Sequence, residues 1–166
     1  NIKGEFRIIA EDLGFLTEEV QKLLKKTGYP GMKILEFAFD PENDNDYMPY
    51  NIGENSIVYP GTHDNMTIKG WYLEGIDEKT KLYVDQYLEI HHINDVVPRV
   101  IRAALNTKAH TVIVQMQDYL ELDNSARMNE PSTTNEHNWC FRLTRFKELF
   151  KLKNKYLKLN MKNNRL

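Results

Sequence analysis

Ser56-Ile57-Val58-Tyr59-Pro60-Gly61-Thr62-His63-Asp64-Asn65 is the stretch from which the fold is read. Its first four residues have strand composition, Pro60-Gly61 stops them, and a His-Asp-Asn group follows directly beyond the strand end. Upstream, Arg7-Ile8-Ile9-Ala10 reads as a short buried strand, with Glu11 and Asp12 immediately after it. Thr17 then caps a helix whose first turn holds Glu18 and Glu19, where the positive end of the helix dipole favours acids. Val20, Leu23 and Leu24 form the inner stripe of that helix. Gly28 ends it, Pro30 prevents its continuation, and Met32 to Phe37 resumes an extended pattern. A loop rich in Asp, Asn and Pro, from Asp40 to Asn55, leads into the opening segment.

Downstream, two helical stretches follow. Glu78 to His91 carries Leu82, Gln86, Tyr87 and Ile90 in phase, and Asp95 to Leu105 carries Val97, Ile101, Ala104 and Leu105, with Pro98 in its first-turn region. His110-Thr111-Val112-Ile113-Val114 is the fourth and most apolar strand, running into a polar loop from Gln115 to Glu136. Four strands separated by helical connections mark a parallel α/β arrangement, because parallel neighbours need crossovers rather than tight hairpins. In such folds the C-terminal strand ends converge on one mouth, so Glu11, Asp12, His63, Asp64 and Asn65 are expected to face a common cavity. The plainer reading makes these acids loop carboxylates or helix caps. No G-x-G-x-x-G or P-loop follows a strand, which removes support for a nucleotide fold. A complete (β/α)8 barrel takes roughly 250 residues. This chain has 166 and half the strands, so the expectation is half a barrel.

Composition excludes several classes. The formal net charge is -2, with 41% hydrophobic and 28% charged residues and a mean hydropathy of -0.60, and no apolar run approaches the roughly 20 residues of a membrane-spanning helix. Aromatics at 11% exclude a disordered chain, and eight glycines exclude a fibrous repeat. Cys140 is the single cysteine, so neither an intrachain disulfide nor a cysteine-based zinc site is available, and a cytoplasmic setting is expected. The chain opens Asn1-Ile2-Lys3 with neither Met nor a secretory signal, which suggests a piece of something longer. From Arg142 to Leu166 nine basic residues face one acid, Glu148, giving +8 against -10 for the rest. Leu143, Phe146, Leu149, Phe150, Tyr156 and Leu157 recur there at near-helical spacing, so an amphipathic helix packing its apolar side on the body is expected. Nucleic-acid binding lacks any accompanying recognition motif.

The motifs themselves carry a resemblance. Ile9-Ala10-Glu11-Asp12-Leu13-Gly14, Pro30-Gly31-Met32-Lys33-Ile34-Leu35 with Phe37-Ala38-Phe39, Gly61-Thr62-His63-Asp64-Asn65 with Gly70-Trp71, Gln117-Asp118, Ala126-Arg127-Met128-Asn129 and Asn138-Trp139 occur in order. Together they resemble the 4-alpha-glucanotransferases called amylomaltases or disproportionating enzymes, relatives of the alpha-amylases. The resemblance implies a (β/α)8 barrel that cleaves an alpha-1,4-glucan and passes the fragment to the 4-hydroxyl of another glucan. It implies a retaining mechanism and no bound cofactor or metal. Such chemistry needs a carboxylate nucleophile, a carboxylic acid that protonates the leaving oxygen and later deprotonates the acceptor, and negative charge near the oxocarbenium-like transition state.

By resemblance, Glu11 is the general acid/base, Asp64 the transition-state stabiliser, and His63 a hydrogen-bond donor to a sugar hydroxyl. Asp12, Asn65 and Asn138 would be polar sugar contacts and Phe37 an apolar ring near the cleaved bond, or each would brace the strand ends. Pro60 and His137 depart from the family pattern, which usually has a small polar residue and Gly there. The family nucleophile, an Asp in an Arg-x-Asp context on the preceding strand, has no counterpart before Arg7. Residues 1–166 are therefore expected to be the C-terminal half-barrel of such an enzyme, strands five to eight, inactive alone. Its expected partners are malto-oligosaccharides and alpha-1,4-glucans, the N-terminal half of the same enzyme, and a second copy covering the open sheet edges. The rival readings are a noncatalytic malto-oligosaccharide-binding or assembly module and a metal-dependent hydrolase, for which Asp40 to Asp46 could form at most a weak calcium loop.

Overall fold

The computed structural model describes residues 8–14, 16–144 and 146–165. Three strands form one parallel sheet: β1 (Gly31–Ile34), β2 (Ser56–Tyr59) and β3 (Thr111–Val112), in the order β1-β2-β3. Gly31 lies opposite Ser56 and Ile34 opposite Tyr59, while Ile57 and Val58 face Thr111 and Val112. Central placement buries β2, and Val58 has no exposed surface. Between β2 and β3 the chain crosses over through α2 (Ile68–Gly70), a π-turn (Trp71–Gly75), α3 (Glu78–Leu88) and α4 (Val96–Leu105). This connection supplies most of the core. Val96, Val97, Val100, Ile101, Ala104 and Leu105 on α4 are buried together with Leu35, Met48, Ile52, Val58, Ile68 and Val84.

Local chemistry sets the helix ends. Thr17 accepts from the Val20 N–H at the start of α1 (Glu18–Thr27), and Gly28, at φ 68, donates its N–H to the Leu24 carbonyl. Asp77 caps α3 by accepting from the Thr80 N–H at 2.8 Å. Pro98 sits in the first turn of α4, where a missing N–H breaks no helical bond. Expected and observed ends differ at α3, which stops at Leu88 rather than His91. Glu89 turns left-handed at φ 55, and the N–H groups of His91 and His92 go to the Asp95 carboxylate instead.

The expected strands are shortened. Arg7 lies outside the described residues, and Ile8 to Ala10 form no strand; Ala10 donates to the Pro30 carbonyl at 2.9 Å, while Ile8 and Ile9 stay exposed. One rung is too little to build a strand at an edge where no described element lies on the far side. For the same reason α1 buries none of its residues, and the stripe containing Val20 and Leu23 is open. The extended pattern from Met32 to Phe37 ends at Ile34, after which Leu35 to Phe37 coil into a 3₁₀ turn closed by Ala38 N–H to Leu35 O. The strand expected from His110 to Val114 is reduced to β3. His110 and Ile113 still donate to Glu54 O and Val58 O at either end, with no described partner on the outer edge.

Past the four-residue α5 (Met116–Tyr119), the basic amphipathic helix is α6 (Phe146–Lys162), and of the expected apolar side it buries Tyr156 but not Phe146, Phe150 or Leu157. Leu152, Tyr156 and Leu159 turn to the core, whereas Phe146, Phe150 and Leu157 remain exposed. At 3.6 residues per turn these two apolar stripes lie on nearly opposite sides. Tyr156 decides between them: its ring meets Tyr119 edge-on at 4.5 Å and its hydroxyl donates to the Tyr119 carbonyl at 3.1 Å. Beyond α6, the Arg165 guanidinium donates to the carbonyls of Leu105, Thr107 and Ala109, tying this end of the chain to the end of α4. No helix among the described residues is long and apolar enough to cross a membrane.

The helix orientation is directly testable. Tyr156→Ala should lower unfolding free energy by about 3 kcal/mol or more, as for other large buried aromatics. Phe150→Ala should change it by less than about 0.5 kcal/mol. Urea unfolding of the two variants measures both, and the reverse order would refute the placement of α6.

Candidate active site

Acids at the C-terminal ends of adjacent parallel strands share one side of the sheet. Glu36 follows β1, Asp64 follows β2, and Asp118 follows β3. The turn after β2 is self-bracing. Asn65 Oδ1 accepts from both the backbone N–H and the hydroxyl of Thr62, at 3.0 and 2.7 Å, and Asn65 N–H returns to the Thr62 carbonyl. His63 and Asp64 project from this turn, each about half exposed at the side chain, with Nε2 to Oδ1 at 3.5 Å.

A second segment holds them. The Asn129 side-chain amide donates to Asp64 Oδ1 at 2.7 Å, Arg127 donates to the Asp64 carbonyl at 2.8 Å, and Asn129 N–H donates to the His63 carbonyl at 3.0 Å. Asp64 Oδ2 has no hydrogen-bond partner among the described residues and is open to a ligand. The Trp139 indole lies beside the imidazole of His63, ring centroids 5.2 Å apart and planes tilted by 39°. The indole is more than half exposed, and its backbone sits at φ 63, held by Trp139 N–H to Met128 O at 2.7 Å. A carboxylate with one oxygen fixed and one open, beside an imidazole and an exposed aromatic face, is suited to a polyhydroxylated ligand.

The other expected site residues fall into two kinds. Phe37 keeps an exposed ring, set edge-on against Tyr47 at 5.6 Å. Asp12 and Asn138 are engaged in holding backbone. Asp12 is buried, its Oδ1 accepts the Met32 N–H at 2.6 Å, and its carboxylate fills the space a Cβ on Gly31 would need. Asn138 accepts from the Glu130 N–H at 3.0 Å and donates to Thr133 Oγ1 at 3.1 Å, closing its own loop. Glu11 is exposed, one residue past the Ala10 rung, and among the described residues no hydrogen bond or ion pair joins it to His63 or Asp64. The structure therefore joins His63, Asp64 and Asn65 within one braced turn, and Glu11 makes no hydrogen bond or ion pair with them among the described residues.

Residue-by-residue reading assigned no role to Arg127, Asn129, Glu36 or Asp118. Arg127, Asn129 and Asp118 lie within recognisable motifs, so their positions were visible but their partners were not. Glu36 is an acid inside Ile34-Leu35-Glu36-Phe37-Ala38-Phe39, and that apolar setting is the signal for burial. Burial pushes the Glu36 carboxyl well up from the usual range, with the nearby Asp118 charge adding to the shift and Asn65 and Arg127 opposing it. Burial likewise raises Asp118 to about 7. Among the described residues no group of three or more His, Cys, Asp or Glu could hold a metal ion. In the acidic loop, Asp40 accepts from the Glu42 N–H, and Asp44 accepts from Tyr50 and Asn51, which occupies these carboxylates locally.

Comparison with known proteins gives the chain a family. The sequence pattern of the 4-alpha-glucanotransferase family matches residues 1–149. The chain is 48% identical over 141 residues to a 4-alpha-glucanotransferase of Streptococcus pneumoniae, covering 85% of this chain and 28% of that protein. It is 46% identical over 140 residues to a chloroplastic/amyloplastic 4-alpha-glucanotransferase of Arabidopsis thaliana, covering 84% of this chain and 24% of that protein. Among solved structures, the amylomaltase of Streptococcus agalactiae in complex with acarbose superposes with a TM-score of 0.89 at 36% identity, over 98% of this chain and 32% of that one. The chain thus spans 24% to 32% of the length of these relatives. It belongs to the 4-alpha-glucanotransferase family.

Proposed function

We propose that this chain is part of a 4-alpha-glucanotransferase that moves a segment of an alpha-1,4-glucan to the 4-hydroxyl of an acceptor glucose or glucan with retention of configuration. In that reading the three-stranded sheet and the Ile8 to Ala10 segment are the C-terminal portion of a (β/α)8 barrel. The rest of the barrel, with the nucleophilic Asp, comes from residues outside this chain, and the partners are malto-oligosaccharides and alpha-1,4-glucans. The observation that carries the reading is the fixed Asp64 carboxylate at the C-terminal mouth of the sheet, in a chain of this family. Support also comes from the acarbose complex of the Streptococcus agalactiae relative.

The chemistry divides among few groups. Asp64, held at Oδ1 by Asn129, presents stationary negative charge where the sugar ring becomes oxocarbenium-like, so no reorganisation is needed as charge develops. His63 donates to a hydroxyl of the same sugar while Trp139 fixes its ring plane. Glu11 protonates the glycosidic oxygen, and its carboxylate then takes the proton from the acceptor 4-hydroxyl. Phe37 offers an apolar face to the sugar next along the chain. Asp12, Asn65 and Asn138 act as braces, since their hydrogen-bonding atoms are already engaged with backbone or neighbouring groups.

Two outcomes follow. The 166-residue chain alone should release no glucose from maltotriose, because it contains no Arg-x-Asp motif to supply the glycosyl acceptor carboxylate; chromatographic detection of glucose or longer oligosaccharides would overturn this. In the full-length enzyme, Glu11→Gln should reduce maltotriose disproportionation about 10²- to 10⁴-fold, the usual contribution of a general acid/base. Turnover within a factor of ten of the parent would remove Glu11 from the role, whereas maltotriose binding with no turnover by the parent would favour a noncatalytic glucan-binding module.

A further inference from the structure

The loop from Pro60 to Ile68 carries both His63 and Asp64, and two acids that the proposed chemistry does not use meet its ends, Glu36 bonding through its backbone with its carboxyl packed against Gly61 and Asp118 bonding through its carboxyl. At its start, Glu36 N–H donates to the Pro60 carbonyl at 3.1 Å. The Glu36 carboxyl lies so close beneath Gly61 that Oε1 is 2.5 Å from where a Cβ on that glycine would stand. At its end, Asp118, which has no exposed surface, accepts the Ile68 N–H through Oδ1 at 2.8 Å. Each acid also holds one oxygen shut away from solvent with no hydrogen-bond partner, Glu36 Oε1 and Asp118 Oδ2. Burying an oxygen in this way costs free energy, and two such costs beneath one loop call for a reason.

We propose that Glu36 and Asp118 are positioning residues that clamp the Pro60–Ile68 loop from below and so set the aim of Asp64. The proposal rests on the glucan reading only for what Asp64 is aimed at; the clamp itself is a property of this chain. Glu36 fixes the exit of β2, Asp118 fixes the entry of α2, and Arg127 and Asn129 hold the middle of the loop from the other side. No substrate contact is needed from either acid.

Protonation follows from the geometry. Glu36 faces Asp118, with Asn65 and Arg127 favouring its charged form. Asp118 faces the Ile68 N–H and Gln115, with Tyr156 of α6 and Glu36 nearby. Burial keeps both carboxyls protonated to higher pH than usual, Asp118 to about 7. A carboxyl that holds its proton more tightly folded than unfolded contributes stability that is complete below its unfolded pKa, and that stability is lost as pH rises through the folded value. The clamp is thus tightest when neutral and loosens in alkali, when two buried charges repel.

The test uses the Asn129 side-chain amide, whose hydrogen bond to Asp64 makes its NMR resonance a local gauge of the loop. It is followed against pH in this chain in a His63→Gln background, so that the imidazole adds no titration of its own. The resonance should move as pH passes upward through about 7, and the double substitution Glu36→Gln with Asp118→Asn, which keeps the acceptor for Ile68 but has no proton to lose, should abolish that movement. Asp118→Ala should displace the resonance at every pH while core signals from Val84 and Ile101 stay in place. In the full-length enzyme Asp118→Ala should lower kcat at least tenfold with KM within twofold, and Asp118→Asn should restore kcat. An unmoved Asn129 resonance across the titration, or an unchanged kcat in a folded Asp118→Ala enzyme, would overturn the clamp. Should Asp118→Ala fail to fold, the double Gln/Asn variant decides: persistence of the pH-dependent movement refutes the proposal. A clamp that responds as expected in the NMR titration while the full-length protein shows no maltotriose disproportionation would refute the glucan reading and leave the clamp standing.

Discussion

Parallel pairing of β2 between β1 and β3 is the constraint on which the rest depends. Two parallel neighbours cannot be joined by a hairpin, so the chain must leave β2, cross one face of the sheet and return before β3 can pair. That return path is where α3 and α4 arise, and their burial against Val58 gives the core its mass. The same constraint aligns the strands in direction, which brings the residues after β1, β2 and β3 to one edge of the sheet. Glu36, Asp64 and Asp118 are distant in sequence and become neighbouring problems in space because each follows a strand pointing the same way.

At that edge the site is assembled from two irregular segments locked onto each other. Asn124 is the outer lock: its Oδ1 accepts the Thr67 N–H at 3.3 Å and its Nδ2 donates to Glu74 at 2.7 Å. It approaches Gly70 so closely that any Cβ there would overlap its amide. A glycine at position 70 is what allows the segment from Asn124 to Asn129 to lie against the crossover, and Arg127 and Asn129 then reach His63 and Asp64. Precision on loops comes here from cross-bracing by side-chain amides, which supply donors and acceptors in fixed pairs.

How much of this the sequence discloses depends on whether the deciding interaction is local. Pro60-Gly61 as a strand stop, Thr17 and Gly28 as helix ends and the strand Ser56 to Tyr59 depend on near neighbours, and each is found where composition places it. The acid group beyond β2 is legible for the same reason. The choice of buried face on α6 is not, because the helix carries two apolar stripes and only the distant Tyr119 carbonyl selects the one with Tyr156. Ile8 to Ala10 fail similarly: their composition suits a buried strand, but burial requires an element on both sides of the edge. Motifs around Asp118 and Asn129 mark positions without revealing that one carboxyl is interior and the other amide faces Asp64.

Left-handed non-glycine residues also occur away from the site, at Glu89, Glu121, Ser132 and Asn164, but three unfavourable features meet at one turn. Trp139 occupies φ 63, a conformation that costs a non-glycine residue on the order of 1 kcal/mol or more. The carboxyls of Glu36 and Asp118 each leave a buried oxygen unsatisfied. All three lie around the single turn that bears His63 and Asp64, while α3 and α4 are regular and apolar where they meet the sheet. Local consistency across the core provides the stability that lets a small region depart from it. Relieving any one feature by a better-tolerated residue would change an orientation at the turn: glycine at 139 would lose the ring that rests on His63, and an apolar residue at 118 would strand the Ile68 N–H. The three irregularities therefore bear on one turn, at His63, Gly61 and Ile68 in turn, and Asp64 is carried by it.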